Sequence, residues 1–214
     1  MDSANSVRQQ AFYRMGDPSK PQVALTFDDG PDVQWTPQIL DVLDQKGAKA
    51  TFFVLGREVE KNPQIAARIV QEGHVIGNHG YSHTVLTRLS SSQISLELAR
   101  ANNAISAATG VQPRLLRPVG GAFNQTVLNT AAQNGYSVIL WSVDPQDWKG
   151  INATAVVNRV IANTRQGSII LLHSGEGPNL TGTVQGLPKI IDQLRAKGLQ
   201  LVTIPELLGL QAYR

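Results

Sequence analysis

The sequence predicts an α/β fold organised around a parallel sheet. Three observations carry that reading. Short apolar segments alternate with amphipathic ones along almost the whole chain. Segments such as Ile169-Ile170-Leu171-Leu172 have no polar alternation, which suits strands buried on both faces. Glycine, or an Asn-Pro pair, marks most junctions between them.

Residues 1–20 read as an irregular lead-in, and 21–214 as a single domain. The first strand spans Gln22–Phe27. Thr36 then reads as an N-cap with Pro37 at the first helical position, and the helix runs to Gly47. The second strand is Ala50–Leu55. Asn62-Pro63 opens a helix with Ile65, Ala66, Ile69 and Val70 on one face, closed by Gly73. A short third strand, His74–Gly77, leads into a loop with two histidines. Ile94, Leu98, Ala101 and Ile105 recur at helical spacing between Ser91 and Thr109, and Gly110 ends that helix. Strands follow at Arg114–Arg117, Tyr136–Trp141 and Ser168–Leu172. The helices between them are capped by Asn124 and Asn152. A glycine-rich loop, Gly175 to Gly186, precedes a helix ending near Lys197. Leu199–Ile204 forms the seventh strand, followed by a short helix. A barrel and a doubly wound open sheet both fit this order.

Composition narrows the function. The net charge is only +3 and no basic run is present, so nothing marks a nucleic-acid surface. The absence of cysteine removes disulfides, thiolate nucleophiles and cysteine zinc sites. No Gly-x-Gly-x-x-Gly follows the first strand and no Walker lysine appears, so a nucleotide site has no support. No stretch approaches a membrane span, and Met1–Gly16 is polar, without the apolar core of a signal peptide.

The candidate chemistry begins at Thr26-Phe27-Asp28-Asp29-Gly30-Pro31. An apolar strand delivers two adjacent carboxylates to a turn, where a cation would relieve their repulsion. Asp28 reads as a base and Asp29 as a metal ligand. His79 and His83 lie four residues apart, so both rings can point the same way. With Asp29 they make a site of two imidazoles and one carboxylate that leaves positions open for water. His74 sits within a strand and reads as a core residue.

His173 ends the sixth strand, at a position suited to acid–base work. Arg117 ends the fourth, where it can hold a carboxylate, and Gly120-Gly121 lets a substrate approach the backbone. Asp147, after the fifth strand, can polarise a histidine, and Trp148 can wall a pocket. Taken singly, each motif is also an ordinary turn. Jointly they follow the ends of five strands, and in a parallel βα fold those ends open on one face.

These blocks resemble the NodB-homology polysaccharide deacetylases, carbohydrate esterase family four. The order is TFDDG, a histidine pair, R-P-x-x-G, D-x-x-D-W and L-x-H, across Gln22 to about Leu208. The resemblance implies a distorted (β/α) barrel with seven or eight mainly parallel strands. It implies a divalent metal, usually zinc, with cobalt, manganese, iron or nickel(II) also suited to the ligands. It implies hydrolytic N-deacetylation of N-acetylglucosamine polymers such as peptidoglycan or chitin, outside the cytoplasm, by a protein expected to be a monomer. Carried over by position, Asp29, His79 and His83 bind the metal, Asp28 is the base and His173 the acid. Arg117 orients Asp28, Asp147 tunes His173, and Trp148 and Leu171 shape the acetyl pocket. An O-acetyl xylan esterase and a non-catalytic carbohydrate-binding protein are the alternatives on the same scaffold.

Two departures from the family pattern carry expectations. Gly80 stands where a hydroxyl residue usually braces the histidine loop, so a looser loop is expected. Val119 and Gly120 replace the usual Pro-Tyr. That predicts a wider groove in which the Gly120 N–H is retained as an oxyanion donor.

Overall fold

Every pairing between named strands is parallel, in the order β1-β6-β5-β4-β3-β2-β7, with β8 beside the start of β2. The computed structural model describes residues 12–176 and 179–214. The strands are β1 (Phe12–Tyr13), β2 (Gln22–Asp28), β3 (Thr51–Val54), β4 (Val75–Asn78), β5 (Leu115–Leu116), β6 (Ser137–Ile139), β7 (Ile169–His173) and β8 (Gln200–Leu201). The helices are α1 (Trp35–Gln45), α2 (Gly56–Lys61), α3 (Pro63–Gln71), α4 (Ser91–Thr109), α5 (Gln125–Gln133), α6 (Ala153–Asn163), α7 (Thr181–Ala196) and α8 (Ile204–Leu208).

The strands curl into a distorted (β/α) barrel. Past β6, Val143 pairs with Ile170 of β7. Below that contact, β1 lies along β6 while Met15 bridges to Ser168, so the seam between β6 and β7 is filled. Val23, Leu25, Phe27, Phe52 and Ile170 are fully buried, and the rings of Phe27 and Phe52 stack at 5.0 Å. Each such side chain contributes about 1.5–3 kcal/mol of burial.

Local signals define most helices. Ser90 and Gln93 form a reciprocal capping box for α4, and Gly110 ends it in the left-handed conformation. Asn124 and Asn152 accept from the backbone at the starts of α5 and α6.

The structure departs from the sequence reading in five places. The lead-in is not irregular where it is described, because Phe12–Tyr13 forms β1; residues 1–11 lie outside the described residues. α2 was not expected, and its short charged sequence buries only Gly56 and Val59. Thr36 does not cap α1. It lies inside the helix, donating to the Ser174 carbonyl at 2.8 Å, while Asp32 accepts from Gln34 and Trp35. The strand expected over Leu199–Ile204 shortens to Gln200–Leu201, because Thr203 caps α8.

Finally, the glycine-rich segment is half helix, since α7 begins at Thr181. Its glycines serve packing against α6. A Cβ on Gly182 would stand 2.0 Å from the Ile151 carbonyl, and one on Gly186 would stand 3.2 Å from Val157 Cγ2.

Candidate active site

Asp28 is the last residue of β2 and Asp29 the first beyond it, with a left-handed φ of 72°. Both are buried. That turn separates the neighbouring carboxylates. Asp28 Oδ1 accepts from Arg117 Nη1 at 2.7 Å, while Asp29 Oδ1 faces His79 Nε2 at 3.2 Å and His83 Nε2 at 3.3 Å.

Arg117 is fully buried behind the site. Its guanidinium also donates to Thr26 Oγ1 (2.8 Å) and to the carbonyls of Ile139 (3.3 Å) and Leu140 (3.1 Å). It lies 4.1 Å above the Phe53 ring. Burial presses its pKa down and the Asp28 charge presses it up. A guanidinium so placed stays charged, and it occupies one oxygen of Asp28 while leaving the other free.

His79 and His83 follow β4. His79 Nδ1 is 2.6 Å from the Arg117 carbonyl. A carbonyl only accepts, so Nδ1 carries the proton and Nε2 presents its lone pair. Asp29 Oδ1 is buried with no hydrogen-bond donor among the described residues. Acceptors therefore face one another across this cluster, and one ligand atom from each of Asp29, His79 and His83 lies within 4.8 Å of the others. A cation fits that arrangement. The same field acts on protons. Burial disfavours a charged His79, but the charges of Asp28 and Asp29 outweigh it and raise its pKa. Asp29 is held low by the three histidines despite its burial.

The histidine loop is not loose. Asn78 Oδ1 accepts from Gly80 N at 2.7 Å. Glu97, on α4, accepts from Tyr81 N (3.1 Å), Ser82 N (3.0 Å) and Ser82 Oγ (3.0 Å). The hydroxyl missing at Gly80 is thus answered by carboxylate and amide side chains from outside the loop.

His173 ends β7. Its Nδ1 lies 2.8 Å from Asp147 Oδ1, and its backbone N–H donates to Asp147 Oδ2 at 3.0 Å. Asp147 is buried and also accepts from Trp148 N (3.0 Å) and Thr183 Oγ1 (2.8 Å). Burial lowers the His173 pKa, but the hydrogen bond and charge of Asp147, with the charges of Asp28 and Asp29, carry it up to about 9.

A cavity of about 490 Å³ opens over these groups. Its walls include Asp28, Asp29, His79, His83, Gly120, Trp148, Leu171 and His173. Arg117 and Asp147 sit directly behind, so all ten residues singled out in the sequence meet at one place. His74 is elsewhere. It is buried, its Nδ1 accepts from Ala50 N at 3.2 Å, and it takes no part in the cavity. Gly120 has φ 62°, and a Cβ there would meet nothing within 4 Å, so the groove is open above it. The cavity wall also contains Val119, which replaces a usual family residue, Asp144, which opens the D-x-x-D-W block, and Trp141 and Glu176, which the sequence reading did not single out. Trp141 closes the fifth predicted strand, where the strand-end argument could have found it. Glu176 carried no signal.

Comparison with known proteins gives the family of the chain. The family model described as "Polysaccharide deacetylase" matches residues 15–139. A peptidoglycan-N-acetylglucosamine deacetylase of Bacillus cereus is 43% identical over 201 residues, covering 94% of this chain and 73% of that protein. A chitooligosaccharide deacetylase of Bradyrhizobium is 38% identical, over 86% of this chain and 90% of that one. The solved structure of the Bc1960 peptidoglycan N-acetylglucosamine deacetylase superposes with a TM-score of 0.93 at 42% identity, covering 95% of each chain. A CE4 family pseudoenzyme from Bacillus anthracis superposes at 0.85 and 33% identity, over 91% of this chain and 67% of that one. The family model over residues 15–139, the 43% identity over 94% of the chain and the matching fold make the chain a member of the polysaccharide deacetylase family.

Proposed function

We propose that the protein hydrolyses N-acetyl groups from N-acetylglucosamine-containing polysaccharide, peptidoglycan or chitin-like chains, as a metal-dependent deacetylase. One observation carries the reading. Asp28, paired with the Arg117 guanidinium, and His173, paired with the Asp147 carboxylate, are register partners on β2 and β7, next to three side chains able to hold a metal ion. The named activities of the relatives point to the same substrates.

Asp29, His79 and His83 would hold the metal, zinc in the first instance. Bound there, it supplies the Lewis acidity that activates water and polarises the acetyl carbonyl. Asp28 accepts the proton of the attacking water through the oxygen that Arg117 leaves free. The Gly120 N–H, which no described group accepts, takes a share of the developing oxyanion charge. His173 is kept protonated by Asp147 and gives its Nε2 proton to the nitrogen as the C–N bond breaks. Acetate and a free amine result. Trp148 and Leu171 flank the acetyl group, and the open space over Gly120 admits a substituted glycan. Such polymers lie outside the cytoplasmic membrane, so the protein works there, as a monomer. Among the described residues, no helix is long and apolar enough to cross a membrane.

The test is acetate release from chitooligomers, peptidoglycan and acetylxylan, with zinc and with chelator. Release from the amide substrates, abolished by chelator, is expected. Full activity in metal-free protein would overturn the mechanism, and preference for acetylxylan would move the substrate to O-acetyl esters. Glycan binding without any acetate would place the protein with non-catalytic relatives.

A further inference from the structure

His83 meets a carboxylate that belongs to none of the five sequence blocks. Glu176 lies on the loop after β7, and its Oε2 stands 3.1 Å from His83 Nδ1. Its other oxygen is paired with Arg57, at the start of α2. Arg57 Nη1 also donates to the Ser82 carbonyl, beside His83, at 3.0 Å. The segments after β3, β4 and β7 thus converge on one side chain.

The need for such a partner is local. His79 is buried and its tautomer is fixed by the Arg117 carbonyl. The His83 side chain is 33% exposed and makes no equivalent backbone bond among the described residues. Gly80 provides no side chain to help. His83 and Glu176 also both have left-handed backbone, with φ of 63° and 47°. That region is costly for residues other than glycine and persists where the surroundings enforce it. The contact between them ties these two turns together.

We infer that Glu176 is a positioning residue for the metal cluster. Its carboxylate, 3.1 Å from His83 Nδ1, favours the proton on that nitrogen, which leaves the Nε2 lone pair for the cluster with Asp29. Arg57 holds the carboxylate in place. The inference rests on the metal reading given above. It adds that this chain secures its partly exposed histidine ligand from the loop that follows the proposed acid, instead of from within the histidine loop.

The experiment is zinc titration of the whole, metal-stripped protein against a chromophoric chelator, comparing the parent with Glu176→Ala, Glu176→Gln and Arg57→Ala. Losing such a partner typically weakens metal affinity roughly 10–100-fold. Glu176→Ala is expected in that range, Glu176→Gln well above Glu176→Ala because an acceptor oxygen remains, and Arg57→Ala between parent and Glu176→Ala. A second readout is the imidazole ¹⁵N spectrum of the zinc-loaded protein. The parent is expected to show a slowly exchanging His83 Nδ1–H that Glu176→Ala loses. Unchanged thermal melting of the metal-free variants separates this from a folding defect. Affinity of Glu176→Ala within twofold of the parent overturns the inference, as does equal loss in Glu176→Gln, which would assign the effect to charge. A parent protein that takes up no zinc overturns both this inference and the metal reading.

Discussion

Asp28 and His173 are register partners on adjacent parallel strands. The Asp28 carbonyl accepts from both the backbone N–H and the hydroxyl of Ser174, at 2.8 and 3.2 Å. The proposed base and acid are therefore spaced by the sheet itself and not by loops. A ladder is the least mobile support a fold can offer, and sites built on strands hold their geometry best.

Asp28→Asn tests the base and the buried pair together. The amide cannot take the water proton, and Arg117 loses its counter-charge. Activity is expected to fall about 10²–10⁴-fold. Breaking a buried ion pair from one side costs about 3–5 kcal/mol, so the melting temperature should drop as well. Acetate release and calorimetry on the same preparation check both. A variant with parental activity would remove Asp28 from the mechanism.

The pH dependence follows from His173. Its folded pKa is raised to about 9, above the ordinary value near 6.5. The associated stability is complete below pH 6.5 and is lost as pH rises from there through 9. Denaturant melts of metal-free protein at pH 6 and pH 9.5, on the parent and on His173→Gln, should show a gap that closes at the higher pH. The acid form also disappears over that range, so turnover should decline on the alkaline side. Asp147→Asn should move that decline to lower pH.

His74 shifts the opposite way. Burial, with Lys49 and Arg68 nearby, lowers its pKa to about 4. The neutral ring is the folded form. Its contribution is complete above pH 6.5 and is lost as pH falls toward 4. His74→Gln, which keeps an acceptor for Ala50 N, should lose less stability than the parent between pH 7 and pH 4.5. Parallel melting curves for the two proteins would refute this.

Gly182→Ala should be strongly destabilising although alanine is the better helix former. The added methyl would meet the Ile151 carbonyl, and overpacking of this kind costs about 1–3 kcal/mol. Gly186→Ala, whose nearest neighbour is a side-chain methyl able to shift, should cost less. Thermal melts of the two variants decide the order.

The sequence made the candidate site readable because its members mark strand ends. Asp28, Arg117 and His173 each close an apolar run, and a parallel fold brings those ends to one face. Three things escaped that logic. Glu97 drew no notice on α4, because nothing in a single sequence tells a brace from a surface carboxylate. Gly182 and Gly186 looked like loop residues, because glycine marks close packing as readily as a turn. β1 was invisible, because two residues have no period.

That last strand has a consequence in time. Phe12 and Tyr13 are made before the other described strands, yet they pair with Val138 and Ile139, and Met15 with Ser168. Their partners are synthesised more than a hundred residues later, so β1 must wait, unpaired, while β2 to β5 are made. Contacts so distant in sequence form slowly. The lip that carries His173 thus belongs to a ring joined only once its beginning has met its end.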